Sequence, residues 1–377
     1  MDRIDRVEAM VVAHRLQRTF HFSQWHYDTR SVCLVKVTTR DGVVGWGEGY
    51  GPAGVVRAGV EFLAPLVVGE DPLQGENLWQ RMFLRSVDYA RRGVLVAAIS
   101  AIDVALWDVR GRLLGLPVSV LLGGRRRESV RAYATGMYFS EAAGQIGALA
   151  REARGYADAG FSAIKMKVGL SVQEDIANVG AVREAVGEGV ELMVDANHAY
   201  NLREAVALAR AIEPFRIGWF EEPLSPEDYE GYRELRDRTT IPIAAGECEY
   251  LRSGFLQLFR NRSVDVAQPD LCAAGGLTEV KKIAAMAEAF GVEVAPHSWG
   301  TGIAIAAALQ LLSNMDVAPG RMKMAEPILE LDRTENPLRD ELVVPRFEPR
   351  GGRVDVPAAP GLGVEVDEAL LGKYRQA

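Results

Sequence analysis

The chain has 377 residues, of which 48% are apolar and 25% charged, and a formal net charge of -8. This length exceeds a typical single domain and leaves room for one large barrel, a smaller domain and a substantial core. The acidic balance argues against nucleic acid as a partner, and no apolar run reaches the roughly 18 residues that span a bilayer.

The N-terminal stretch MDRIDRVEAM lacks the basic-then-apolar layout of a signal peptide, so the expected compartment is the cytoplasm. Cys33, Cys248 and Cys272 are odd in number and form no CxxC pair, as in a reducing environment. Cys248 and Cys272 stand near Glu247 and Asp270 and are expected to be small buried side chains at strand ends rather than nucleophiles.

Residues 5–20 and 31–48 read as strands, and Asp41-Gly42 between two alternating runs signals a tight hairpin. The stretch HFSQWHYDTR, residues 21–30, has no clean period and is expected to be a loop that forms a flap carrying His21, Trp25, His26 and Tyr27. Gly49, Gly51 and Gly54 fit a GxGxxG pattern. The strand before them belongs to a hairpin and Pro52 interrupts the turn, so they read as a connection and not a dinucleotide site.

From Val55 to about Leu116 the period is helical, and VLVAAISAIDVALWDVRGRLLG is apolar on most faces, as a helix buried between layers would be. Gly115-Leu116-Pro117 ends it. LLGGRRRE then reads as a domain junction, with Arg125, Arg126 and Arg127 as a solvated linker or interface patch.

From Val130 short apolar strands alternate with amphipathic helices. The strands fall near 131–136, 162–167, 191–195, 217–221, 241–246, 264–268, 292–296 and 321–326. The expected fold is α/β, a (β/α)7β TIM-like barrel over 126–330. Residues 1–125 form an α+β capping domain, and the Pro- and Gly-rich tail 331–377 packs back on it.

Charged residues recur at the strand ends: Lys165 and Lys167, Asp195, Glu221, Glu247, Asp270 and His297. From Lys167 onward the intervals are 28, 26, 26, 23 and 27 residues, one strand-plus-helix unit each. Parallel strand ends converge on one mouth of a barrel. Asp195, Glu221 and Glu247 would repel without a cation, and an oxygen-only set suits octahedral Mg²⁺, with Mn²⁺ as a substitute. No histidine pair with zinc spacing accompanies them.

Lys165 and Lys167 lie two apart on a strand and point the same way. Two close, buried ammonium groups depress each other's proton affinity, which suits one as a base; either could instead be a counter-ion of the carboxylates. Asp270 beside His297 would fix the imidazole tautomer and raise its pKa. A base on each side of a metal suits abstraction of a proton α to a carboxylate, with Glu326 at the end of the eighth strand sharing a proton with the enediolate.

The set Lys165-x-Lys167, Asp195, Glu221, Glu247, Asp270 and His297 resembles the mandelate racemase subgroup of the enolase superfamily. SAIDVALWDVRGRLLGLPV with LLGG, and VDAN with FEEP, resemble its signatures, and Phe220 stands where an aliphatic residue is more usual. The resemblance covers essentially the whole chain. It implies Asp195, Glu221 and Glu247 as Mg²⁺ ligands, Lys167 as one acid/base and His297 with Asp270 as the other. Lys165 would neutralise the substrate carboxylate, Glu326 would be the electrophile, and Asn197 would contact metal or substrate. His26, Tyr27 and Tyr50 would choose the substrate.

Within the subgroup, RRESVRAYATG, DANHAY, QPDLC, HSWGTG, EPILELDRTENP and PGLGVEV resemble the cycloisomerases that open an aldarolactone to a keto-deoxy acid. The implied partner is a small sugar acid, its lactone or a related anhydro sugar acid. An acid-sugar dehydratase is the rival and a racemase or epimerase the third reading, because all three share one half-reaction. The family also implies a symmetric homo-oligomer, often an octamer.

Overall fold

The computed structural model describes residues 2–23, 25–139, 145–315 and 326–376. The chain opens with a long antiparallel hairpin, β1 (Ile4–Phe22) and β2 (Trp25–Thr39), and β2 also pairs with β3 (Val44–Gly49). Gly42, at φ +85°, makes the tight turn at Asp41-Gly42. Residues 21–30, expected as a loop, are instead the tip of the first hairpin, with Phe22 opposite Trp25 and His21 opposite His26. A register shift between Arg15 and Phe20 breaks the alternation, so the strand period is hidden in the sequence.

Three helices pack on this sheet: α1 (Ala53–Leu63), α2 (Gly75–Ser86) and α3 (Val94–Leu114). The buried helix α3 lies close against β3 because Gly47 has no side chain, and a Cβ there would collide with the Ala101 carbonyl. Its two acids reach other parts of the chain. Asp103 accepts from Thr278 N–H (2.9 Å) and its hydroxyl (2.6 Å), and Asp108 accepts from Trp46 N–H (2.9 Å) and Leu362 N–H (2.8 Å). After the short α4 (Val118–Leu121), Arg125 donates to the Val356 carbonyl (3.0 Å) and Arg127 to that of Leu312 (2.6 Å). These arginines bind the junction to its neighbours.

The barrel follows as β4 (Ser129–Thr135), α5 (Gln145–Asp158), β5 (Ala163–Lys167), α6 (Val172–Val186), β6 (Glu191–Asp195), α7 (Leu202–Ile212), β7 (Ile217–Glu221) and α8 (Tyr229–Arg236). It continues with β8 (Ile243–Ala245), α9 (Leu251–Arg260), β9 (Val266–Ala267), α10 (Gly276–Phe290), β10 (Glu293–Val294), α11 (Gly302–Leu312) and β11 (Ile328–Asp332). The eight strands are parallel, in the order β10-β9-β8-β7-β6-β5-β4-β11. Among the described residues no backbone ladder joins β10 to β11. Ser298, just past β10, instead donates its N–H to the Glu330 carboxylate on β11 (3.1 Å).

The expected eighth strand, 321–326, lies outside the described residues except for Glu326, and Glu326 itself precedes β11. Pro327 cannot donate to a ladder, and the alternating ILELD after it supplies the strand.

The tail adds α12 (Pro337–Asp340), β12 (Val343–Val344), β13 (Arg353–Asp355), β14 (Glu365–Val366) and α13 (Glu368–Tyr374). It touches both halves: β13 extends the barrel sheet beside β4, while Gln376 N–H donates to the Val11 carbonyl (2.8 Å).

Candidate active site

A buried cluster of Tyr133, Ala163, Met193, Trp219, Ala244, Val266, Ala295 and Ile328 takes one residue from each strand or its end and fills the barrel interior. Because side chains alternate along a strand, the residue two positions later faces inward again, nearer the C-terminal mouth. That step leads from Tyr133 to Thr135, from Ala163 to Lys165, from Met193 to Asp195 and from Trp219 to Glu221. On the other side of the barrel it leads from Val266 to Gln268, from Ala295 to His297 and from Ile328 to Glu330. At β8, Gly246 turns at φ +140° where a Cβ would sit 2.9 Å from Gln268 N, and Glu247 follows.

Lys165 Nζ lies 2.5 Å from Glu221 Oε1, 2.9 Å from Glu330 Oε1 and 3.6 Å from Asp195 Oδ2. Lys167 Nζ donates to Asp195 Oδ2 (2.5 Å) and to Asn197 Oδ1 (2.8 Å). The second oxygen of Glu221 accepts from Trp219 Nε1 (2.9 Å) and Gln268 Nε2 (2.6 Å). Across the mouth, His297 Nδ1 is 2.6 Å from Asp270 Oδ2 and its Nε2 is 3.5 Å from Glu247 Oε2.

Apart from the partly exposed Asn197 and Glu247, these side chains are almost wholly removed from water, so neighbouring charges decide their protonation. Burial opposes a charged Lys165, but Glu221 and then Glu330 outweigh it and raise its pKa well above the usual lysine range. Burial likewise opposes Lys167, and Asp195 outweighs it. The mutual depression expected of the two lysines is therefore overridden by the carboxylates around them.

Asp195 is held well below its ordinary value by Lys167 and Lys165 against burial. Burial pushes Glu221 up, with Asp195 and Glu330 adding to it and Lys165 opposing. Glu247 rises to about 7 through burial and the nearby Glu222. For His297 burial is overcome by Glu247 and Asp270, and its pKa rises to about 10.

Asp195, Glu221 and Glu247 share the mouth as an all-oxygen set with two members pushed toward protonation, but Lys165 holds Glu221, Lys167 holds Asp195, and the three carboxylates do not gather within 4.8 Å of one another. Such a set fits a hard divalent cation, which would relieve the repulsion.

Glu326 is not part of this mouth. Its carboxylate pairs with Arg353 (2.6 Å) at the opposite, N-terminal end of the barrel, where it lines a cavity with Arg131, Glu191 and Trp219. The acid at the mouth is Glu330, which accepts from the Thr135 hydroxyl (2.7 Å) and is pulled down to about 2 by Lys165 and His297 against burial. Placing the eighth strand at 321–326 favoured Glu326. The inward-face step from Ile328, and Pro327 as a strand boundary, would have picked out Glu330. The same step from Val266 would have found Gln268.

The roof of the pocket comes from the hairpin tip and the loops. Phe22 and Tyr27 stack at 5.1 Å, and Tyr27, Tyr138 and Trp299 enclose the space above the lysines. Arg30 packs on Trp299 (3.9 Å) and pairs with Asp332 (2.9 Å). Tyr50 lies 5.2 Å from the His297 ring. Asn197 lines the pocket, at φ +40°. His26 does not reach it: one residue from Tyr27 on an extended strand, it is exposed beside His21 on the other face. Cys272 is buried as expected, whereas Cys248 is exposed.

Residues 6–123 match the mandelate racemase / muconate lactonizing enzyme N-terminal domain, and residues 148–370 match the enolase C-terminal domain-like family. The chain is 42% identical to the D-galactarolactone cycloisomerase of Agrobacterium fabrum over 99% of both proteins. It is 36% identical to the arabinonate dehydratase of Saccharolobus solfataricus, covering 91% of this chain and 90% of that protein. The crystal structure of the 3,6-anhydro-D-galactonate cycloisomerase from Zobellia galactanivorans superposes with a TM-score of 0.91 at 51% identity over the full length of both chains. Cap, barrel and the charged mouth between them therefore have one origin, and the chain is an enzyme of the mandelate racemase and muconate lactonizing enzyme family within the enolase superfamily.

Proposed function

We propose that the enzyme is a cycloisomerase that opens the ring of a cyclic sugar acid by β-elimination, with 3,6-anhydro-D-galactonate as its substrate and galactarolactone as the second reading. The observation that carries this is the placement of Lys167 and the His297–Asp270 pair on opposite sides of one pocket, in a chain 51% identical to an anhydrogalactonate cycloisomerase.

Asp195, Glu221 and Glu247 are the residues that would hold a divalent cation, Mg²⁺ or in its place Mn²⁺, whose charge stabilises an enediolate when bound. Lys165 faces the substrate carboxylate as a fixed positive charge. Glu330, not Glu326, lies where the other carboxylate oxygen would come. It takes up a proton there, since two carboxylates in contact do not both stay ionised.

Lys167 is the base. Its charged partner at 2.5 Å is Asp195, a candidate ligand, and a cation held there would draw on the same carboxylate and so weaken its support of the ammonium. His297 keeps Asp270, which is outside the ligand set, and serves as the acid.

In the reaction the C2–H bond breaks toward Lys167 and its electron pair forms the enediolate. Collapse of the enediolate breaks the C3–O bond, and the departing ring oxygen takes a proton from His297. The enol then ketonises by gaining a proton at C3, giving a keto-deoxy acid of the same mass as the substrate.

The acid distinguishes the two substrates. An anhydro ring leaves as an alkoxide and needs a proton, whereas a lactone leaves as a carboxylate and does not. Incubation with Mg²⁺ and, separately, 3,6-anhydro-D-galactonate, galactarolactone, galactonate and arabinonate should give an isomeric keto acid from the anhydro acid. In D₂O it should carry deuterium at C3 by NMR. Turnover confined to the open-chain acids, with loss of water, would make the protein a dehydratase.

A further inference from the structure

One residue past Glu221 and Glu247, the chain turns Glu222 and Cys248 away from the mouth, and three residues past Asp195 comes His198. His198 N–H donates to the Glu222 carbonyl (2.7 Å), which locks two of these loops together. The imidazole nitrogen Nε2 lies 3.1 Å from Glu222 Oε2 and 3.5 Å from Cys248 Sγ, and the three side-chain atoms all lie within 4.8 Å of one another. A tetrahedral Zn²⁺ with ordinary bond lengths would put nitrogen and sulfur about 3.6 Å apart and nitrogen and oxygen about 3.4 Å apart.

We propose that His198, Glu222 and Cys248 form a second cation site, specific for a thiophilic divalent metal such as Zn²⁺ and separate from the carboxylate site.

Two further observations point to a ligand. His198 Nδ1 is 3.0 Å from the Leu224 carbonyl, which only accepts, so Nδ1 carries a proton and Nε2 is the nitrogen turned to the cluster. A backbone carbonyl behind the ligating imidazole is the usual support of a metal-bound histidine. Glu222 is 1% exposed, and its Oε2 points into the cluster, 3.1 Å from His198 Nε2 and within 4.8 Å of Cys248 Sγ. The exposed Cys248 leaves a fourth position for water, and a small cavity lined by Glu222, Gly246, Cys248, Tyr232 and Leu258 adjoins it.

Thiolate and imidazole together favour Zn²⁺ over Mg²⁺, so the two sites sort cations by donor chemistry. On binding, Cys248 gives up its S–H proton to buffer, and His198 gives up the second ring proton that Glu222 stabilises. A dication with one thiolate and one carboxylate then leaves the site neutral.

The test uses the full-length protein with Mg²⁺ in excess, titrated with Co²⁺ alone. One equivalent should produce the near-ultraviolet thiolate-to-cobalt band, and Zn²⁺ should bleach it. Cys33 and Cys272 are buried, so Cys248→Ser should abolish the band, and His198→Gln should weaken binding at least about tenfold. Far-UV circular dichroism verifies that each variant is folded. Wild-type protein gives an independent reading: Zn²⁺ should slow the reaction of Cys248 with Ellman's reagent at least about tenfold. Absence of a band in wild type, a band of unchanged affinity in His198→Gln, or thiol reactivity indifferent to Zn²⁺ would each overturn the site. None of these readouts depends on which sugar acid the enzyme turns over.

Discussion

At the mouth, Glu330 is held by three partners: the Lys165 ammonium, the Thr135 hydroxyl and the Ser298 amide. Glu330→Gln should lower kcat by about 10²–10³-fold, the scale of losing one oriented group at a developing charge. Glu326→Gln, at the far end, should leave kcat within a factor of about two, as a surface change remote from the chemistry does. Steady-state kinetics on both variants decides between the two acids, and equal losses would remove Glu330 from the mechanism. His297→Asn should cost about 10²–10⁴-fold on the anhydro acid and markedly less on the lactone, where no leaving alkoxide needs protonation. The anchors from Lys165 to His297 could be read in the sequence because each ends an apolar strand one unit after the last. Glu330 and Gln268 were hidden by reading intervals between charges, when the inward face of each strand is the physical determinant. The aromatic roof could be read in part, since 21–30 with Tyr27 was expected to form a flap, whereas Trp299 and Arg30 meet only because the hairpin folds over the barrel.

Among the elements, β3 is tied to the start of α11 by one carboxylate. Glu48 accepts from the Thr301 hydroxyl (2.6 Å) and amide, and Thr301 also caps α11. Burial raises the Glu48 pKa from its ordinary 4.5 to about 7, with Asp270 adding to the effect. The folded protein therefore holds this proton more tightly than the unfolded chain does. The stability this group supports is fully present below the unfolded value and is lost as pH rises through about 7, by up to ~3 kcal/mol. Glu48→Gln removes that slope. Its melting temperature should gain on wild type from about pH 5 to about pH 8, and a constant offset would show that Glu48 is ionised throughout. The alternation of strands and helices in the barrel was plain in the sequence. The hairpin tip was not, because its bulge breaks the period and its pairing partner is the only guide to it.

Taken whole, the molecule gathers carboxylates at one buried mouth, where two lysines offset part of their charge and Glu221 and Glu247 are pushed toward protonation. Mg²⁺ at about a hundred times its Kd should stabilise the fold by ~2.7 kcal/mol, read as a rise in melting temperature over the protein in EDTA. Glu247→Gln should remove most of that rise, and a metal-independent melt would contradict the ligand set. Among the described residues no ladder joins β10 to β11, and this has a consequence of another kind. A cylinder of strands is usually sealed by main-chain bonds that any sequence can make; here the closing bond between Ser298 and Glu330 uses a side chain that also faces Lys165. The joint is thus fastened by the acid we propose to meet substrate, so that side chain also bears on how firmly the last stave is held. Drift at this position would be penalised twice, in turnover and in cohesion, and the roof has a tie of its own, because Trp299 packs on Arg30, which pairs with Asp332 on β11.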